Sequence, residues 1–140
     1  MNIANSLGSV TVGTELPEIQ AGPLDRLAFA RISVALDDPN LVHLDETVAR
    51  EAGFPGVIGS GGIVIGMLYE VARQWAGIER IISGQTRQLV PFPANVSLRA
   101  RGHVTAIEDV NSRREAICTI TLVDQHGTTI GHGDFRVLLS

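Results

Sequence analysis

The 140 residues contain a single cysteine, Cys118. That excludes an intrachain disulfide and a zinc site built on cysteines. Aromatic residues are scarce, with one Trp, one Tyr and four Phe, so any core must be largely aliphatic. Long apolar runs are missing as well. The longest, Ile63 to Leu68, is interrupted by Gly66 and is far too short to span a bilayer. Positive charge is in deficit, with 11 Lys+Arg against 15 Asp+Glu and a formal net charge of −4. This leaves no basic footprint for nucleic acid or an anionic membrane surface. The first twenty residues hold no Lys or Arg and no continuous apolar stretch, so no secretory signal is expected and the cytoplasm is the expected compartment. Internal repeats, low-complexity runs and linkers are also missing.

What is present is the composition of a globular protein, 44% hydrophobic and 19% charged, at a length that suits one domain. The stretch 1–12 reads as a flexible tail leading into a short strand at roughly Glu15 to Gln20, after which Gly22-Pro23 breaks the chain. Asp25 is a fitting N-cap for a helix with Leu27, Phe29, Ile32 and Val34-Ala35 as its apolar positions. That helix should end near Asp37, because Pro39 pushes Asp38 out of the α region. A second short helix is capped by Asp45 and stopped by Gly53 and Pro55. A third, over Gly62 to Ala76, is apolar nearly all round and therefore reads as buried, with Gly77 as its stop.

Beyond it the period changes to two. Val96, Leu98 and Ala100 alternate with Ser97, Arg99 and Arg101, and Ala116, Cys118, Ile120 and Leu122 repeat the pattern. Ile81 to Val90 and Thr128 to Leu139 complete four strands, with a turn at Gln125-His126-Gly127. Strands joined by short turns form an antiparallel sheet, and one buried helix before such a meander predicts an α+β fold with the sheet curled around that helix.

The chemistry-bearing residues concentrate in two places. In Asp37-Asp38-Pro39-Asn40-Leu41-Val42-His43, the turn imposed by Pro39 can bring Asp38 and His43 together, which five residues of regular helix cannot. A carboxylate and an imidazole on opposite sides of a pocket can hold and activate a water. An Asx-turn, a helix cap and a passive histidine would explain the same residues. The second place is Pro55 to Gly62, a glycine-rich run feeding the third helix, where free N–H groups and the helix dipole suit a developing negative oxygen. Without Gly-Lys-Ser/Thr it is not a nucleotide loop. His126 and His103 read as surface residues. His132, between Gly131 and Gly133, marks a place where another backbone can approach closely.

Asp38-Pro39-Asn40-Leu41-Val42-His43, with Ala49 six residues further on, resembles the Asp-x-Asn-Pro-hydrophobic-His motif of the MaoC-like, (R)-specific enoyl-thioester hydratases. Phe29, Phe54, Gly59-Ser60-Gly61-Gly62-Ile63 and Pro91-Phe92-Pro93 occupy matching places. The resemblance implies a single hot-dog domain over 1–140, in which a sheet wraps a long helix and two copies, or two different hot-dog subunits, pair. It implies that Asp38 and His43 are catalytic, that Asn40 supports the loop, and that Gly61, flanked by Ser60, offers its N–H to a thioester carbonyl. The implied reaction is reversible hydration of trans-2-enoyl thioesters, on CoA or an acyl carrier protein, to (R)-3-hydroxyacyl thioesters. That reaction belongs to fatty acid metabolism and needs no metal or redox cofactor. A hot-dog thioesterase and a subunit of a heteromeric dehydratase are the alternatives. There are three departures from the family pattern: Leu41 for its proline, Leu36-Asp37 for Ser-Gly, and Ser60 for a histidine beside the oxyanion glycine.

Overall fold

The computed structural model describes residues 7–140. Its order is β1 (Ile19–Leu24), α1 (Arg26–Ala35), a 3₁₀ turn (Leu41–His43), α2 (Glu46–Glu51), α3 (Gly61–Ala76), a second 3₁₀ turn (Ile78–Arg80), β2 (Ile81–Gln88), β3 (Val96–Val110), β4 (Arg113–Asp124) and β5 (Thr129–Leu138). The strands form one antiparallel sheet in the order β1-β3-β4-β5-β2, packed on α3. This is the α+β, curled-sheet hot-dog architecture.

The helices begin where short polar side chains can take their first N–H groups. The Asp25 carboxylate accepts from Ala28 N–H at 2.8 Å. Asp45 accepts from Thr47 and Val48 N–H at 2.8 and 3.1 Å. Ser60 Oγ accepts from Gly62 N–H at 3.2 Å and starts α3 one residue before the predicted position. Ile63, Val64, Met67, Leu68, Val71, Ala72 and Ala76 bury one side of α3 against the inner face of the sheet. Buried alternate residues supply that face: Val96, Leu98, Ala100 and Val104 on β3, and Ala116, Cys118, Ile120 and Leu122 on β4. The core is mostly aliphatic, with Phe29, Phe92 and Phe135 as its buried rings among the described residues. Gly131 lets α3 and β2 come close, since a Cβ there would lie 2.7 Å from Arg87 O and 2.8 Å from Val64 Cγ1.

Several expectations need correction. Leu7 and Val10 are buried in the core, and Arg114 donates to the carbonyls of Gly8 and Val10, so the expected tail is packed from Leu7 onward; residues 1–6 lie outside the described residues. The first strand runs Ile19–Leu24, not from Glu15, which makes only an isolated bridge with His103. Gly22-Pro23 sits inside that strand, where a bulge between Ala21 and Leu24 absorbs it. β2 stops at Gln88. On α1, Phe29 and Ser33 face inward, while Leu27 and Val34, seven residues apart on another face, are 56% and 81% exposed. Nor is α3 enclosed on every side: Ile65 is 48% exposed, and Gly66, Arg73 and Gln74 share the open flank.

Candidate active site

Helix α1 ends as Asp37 turns into the left-handed region (φ 51°) and Asp38 N–H bonds back to Ser33 O at 2.9 Å. Pro39 prevents any continuation. The chain then re-enters a single 3₁₀ turn. Asn40 caps it, accepting Val42 N–H on its side-chain oxygen at 3.3 Å. The Asn40 backbone N–H lies 3.3 Å from Asp38 Oδ1. These local bonds aim the Asp38 and His43 side chains at each other, with His43 Nε2 3.3 Å from Asp38 Oδ2. The expectation had them across a water; here they touch directly.

The α3 N-terminus completes the cluster. Ser60 Oγ donates to Asp38 Oδ2 at 2.8 Å, joining residues 22 apart in sequence. The Ser60 hydroxyl, then the Asn40 N–H, hold the Asp38 carboxyl below its ordinary value; partial burial opposes them, and His43 adds attraction. The carboxylate is therefore the standing form at neutral pH. His43 is buried, with its Nδ1 2.8 Å from Ile58 O. A carbonyl can only accept, so Nδ1 carries a proton. A neutral imidazole then turns a bare lone pair on Nε2 toward Asp38. Two acceptors 3.3 Å apart repel unless a proton lies between them or one donor such as water serves both. A donor bound beside the pair can serve both acceptors at once.

A cleft of about 380 Å³ opens at Asp38, walled chiefly by apolar Val34, Pro39, Leu41 and Leu44. Next to Ser60, Gly61 is the first residue of α3, and its N–H has no partner among the described residues. An unpaired N–H at the positive end of a 16-residue helix is a place for a partly negative oxygen.

Of the residues singled out in the sequence, the structure gathers Asp38, His43 and Ser60 into contact and sets Gly61 beside them. Asn40 acts through its backbone N–H and its cap rather than by reaching inward. His103 is exposed on β3, His126 lies in the β4–β5 turn, and His132 faces away from α3; none joins the cluster. Cys118 is sealed in the core, where burial pushes its thiol up to about 12. Among the described residues no group of acids, histidines and cysteine is arranged to hold a metal, and no helix is long and apolar enough to cross a membrane. Two features escaped sequence reading: the Ile58 carbonyl, a main-chain group with no side-chain signature, and the Ser60–Asp38 bond, which depends on tertiary placement.

No family model matches the sequence, and no curated protein matches it. Solved structures do. An (R)-hydratase from A. caviae involved in PHA biosynthesis superposes with a TM-score of 0.79 at 20% identity, over 92% of this chain and 96% of that one. The ChsH1-ChsH2 complex from Mycobacterium tuberculosis gives 0.80 at 22% identity, over 94% and 99%. A MaoC-like dehydratase from Rhodospirillum rubrum gives 0.78 at 21% identity, over 94% of each chain. The chain thus has the fold of MaoC-like (R)-hydratases and dehydratases.

Proposed function

We propose that the protein is a MaoC-like hydro-lyase that reversibly hydrates trans-2-enoyl thioesters, on CoA or an acyl carrier protein, to (R)-3-hydroxyacyl thioesters. The observation that carries the reading is the Asp38–His43 contact, bonded through Ser60 to the start of α3 where Gly61 N–H is free, with Asp38 also lining an apolar cleft. The thioester carbonyl accepts from Gly61 N–H, and the acyl chain lies along the cleft. A water donates to the Asp38 carboxylate and His43 Nε2. Its oxygen bonds to the β-carbon as one of its protons passes to the pair. The C=C π electrons move onto the carbonyl oxygen, where Gly61 N–H and the helix dipole stabilise the enolate. The pair returns a proton to the α-carbon on the same face, so water is consumed and the pair regenerated.

A panel of enoyl-CoA substrates, followed by loss of the enone absorbance, tests this. Hydration by the purified protein that is lost in Asp38→Asn supports it. Thiol release without hydration would instead identify a thioesterase. The similarity to the ChsH1-ChsH2 complex favours one second reading, a subunit of a heteromeric dehydratase. On that reading the purified chain is inactive until its partner is added.

A further inference from the structure

Gln88, the last residue of β2, is exposed at the end of the edge strand, with its side-chain oxygen close to Gly61. Its Oε1 would be 3.3 Å from a Cβ on Gly61. A Cβ lies about 2.5 Å from its own backbone N, so Oε1 is within about 6 Å of the free Gly61 N–H. The carboxamide is not free to swap ends, because Nε2 donates to Val90 O at 3.1 Å and the oxygen is left facing Gly61. No donor among the described residues occupies that oxygen. A ligand whose carbonyl sits on Gly61 N–H therefore meets a second acceptor a few ångströms away. A ligand group with a donor at that spacing gains a hydrogen bond; one with only acceptors there is repelled.

Resting on the hydratase reading above, we propose that Gln88 is a specificity-determining residue that accepts the N–H of a secondary amide two carbons from the thioester sulfur. The chain S–CH₂–CH₂–NH places that N–H about 4–6 Å from the thioester oxygen, within the reach set by Gly61 and Gln88. This selects the amide-bearing thiol arm common to CoA and carrier-protein thioesters over any simple alkyl thioester.

The test compares two crotonyl thioesters that differ in one atom: the N-acetylcysteamine thioester and its 2-acetoxyethyl counterpart, in which oxygen replaces the N–H. Wild type is expected to favour the amide by about 10-fold in kcat/KM, the scale of one lost hydrogen bond with a partner left unpaired. Gln88→Met, which keeps the bulk but has neither the amide oxygen nor its anchoring N–H, should reduce that ratio to below about 2-fold. The ratio is internal to each variant, so a loss of stability does not mimic the result. Crotonyl-CoA and crotonyl-carrier protein both carry the arm and should both slow in Gln88→Met; the faster of the two in wild type identifies the source. Calorimetric binding of the saturated butanoyl pair asks the same question without turnover. Preferred binding of the amide with no hydration keeps the role of Gln88 and removes the hydratase reading. Equal binding of the two, no binding of either, or an undiminished ratio in Gln88→Met overturns the proposal.

Discussion

Asp37 and Asp38 are adjacent and chemically alike, yet the backbone separates them completely. Asp37 is exposed in a left-handed conformation, which Asn adopts as readily, so Asp37→Asn should change hydration by less than about 3-fold and stability by about 0.5 kcal/mol or less. Asp38→Asn removes the carboxylate that faces His43 and should lower turnover by about 10²–10⁴-fold with the melting curve nearly unchanged. The reverse outcome would mean that the register of the motif is wrong. Ser60 tests the electrostatics. Its hydroxyl stabilises the ionised Asp38, so the folded-state pKa lies below the ordinary value and the site keeps its carboxylate until the pH falls through that lowered value. Ser60→Ala should move the Asp38 titration, read by carbon NMR, toward higher pH, and shift the acid limb of the rate profile the same way. The variant also loses the cap on Gly62 N–H, a cost of about 1 kcal/mol. An unmoved titration would show that the hydroxyl bonds elsewhere in solution. The Asp38–His43 spacing was legible because Pro39 and Asn40 announce a turn in the sequence itself. The Ile58 carbonyl and the side chain of Gln88 were not, because main-chain acceptors and cross-strand neighbours leave no local pattern.

Single elements are tied into the site by close approaches that leave no room for a side chain. Gly59, just before α3, would set a Cβ 2.1 Å from the Phe92 ring. Phe92 in turn packs edge-on against Phe29 of α1, with centroids 5.9 Å apart at 78°. Gly59 N–H bonds to Phe92 O at 2.9 Å, so the backbone cannot simply retreat. Gly59→Ala should destabilise by about 1–3 kcal/mol, seen as a lowered midpoint in denaturant, and should reduce activity by displacing Ser60. A midpoint equal to wild type would show that the Phe92 ring has space to move. Elements with strong end signals were readable from sequence: Asp25 and Asp45 cap their helices and Gly77 ends α3 as their residue types require. β2 and β5 were read slightly too long, and of β3 and β4 only the alternating parts, Val96 to Arg101 and Ala116 to Leu122, were legible. β3 and β4 meet at Asn111-Ser112, both at positive φ (49° and 63°), and their polar ends past Gly102 carry Glu108, Asp109, Arg113 and Arg114, which mask a strand period that backbone pairing sustains.

At the scale of the molecule, what the single chain leaves uncovered is itself informative. Leu27, Val34, Leu36 and Leu41 are 56%, 81%, 48% and 52% exposed around α1 and the site loop. On α3, Ile65 is open beside Gly66, where no atom of the described residues lies within 4 Å of a Cβ position. Among the described residues β2 pairs with β5 alone, so its other edge has no strand beside it, and Ile82 on it is 42% exposed. Apolar residues on a helix read from sequence as buried at every turn belong against something, and an unpaired edge invites another strand. A second hot-dog subunit meeting both α3 and β2 would answer both needs at once. Light scattering at micromolar concentration should therefore give about twice the 14.9 kDa chain mass for the purified protein. Ile65→Lys, which puts a charge on the open flank of α3, should shift it toward the monomer without unfolding it, because Ile65 contributes little to the core of its own chain. A wild-type mass of one chain, rising to two only when a different hot-dog subunit is added, would move the assignment to the heteromeric dehydratase. A single chain under both conditions, with full hydratase activity, would show that the exposed flank of α3 serves neither assembly.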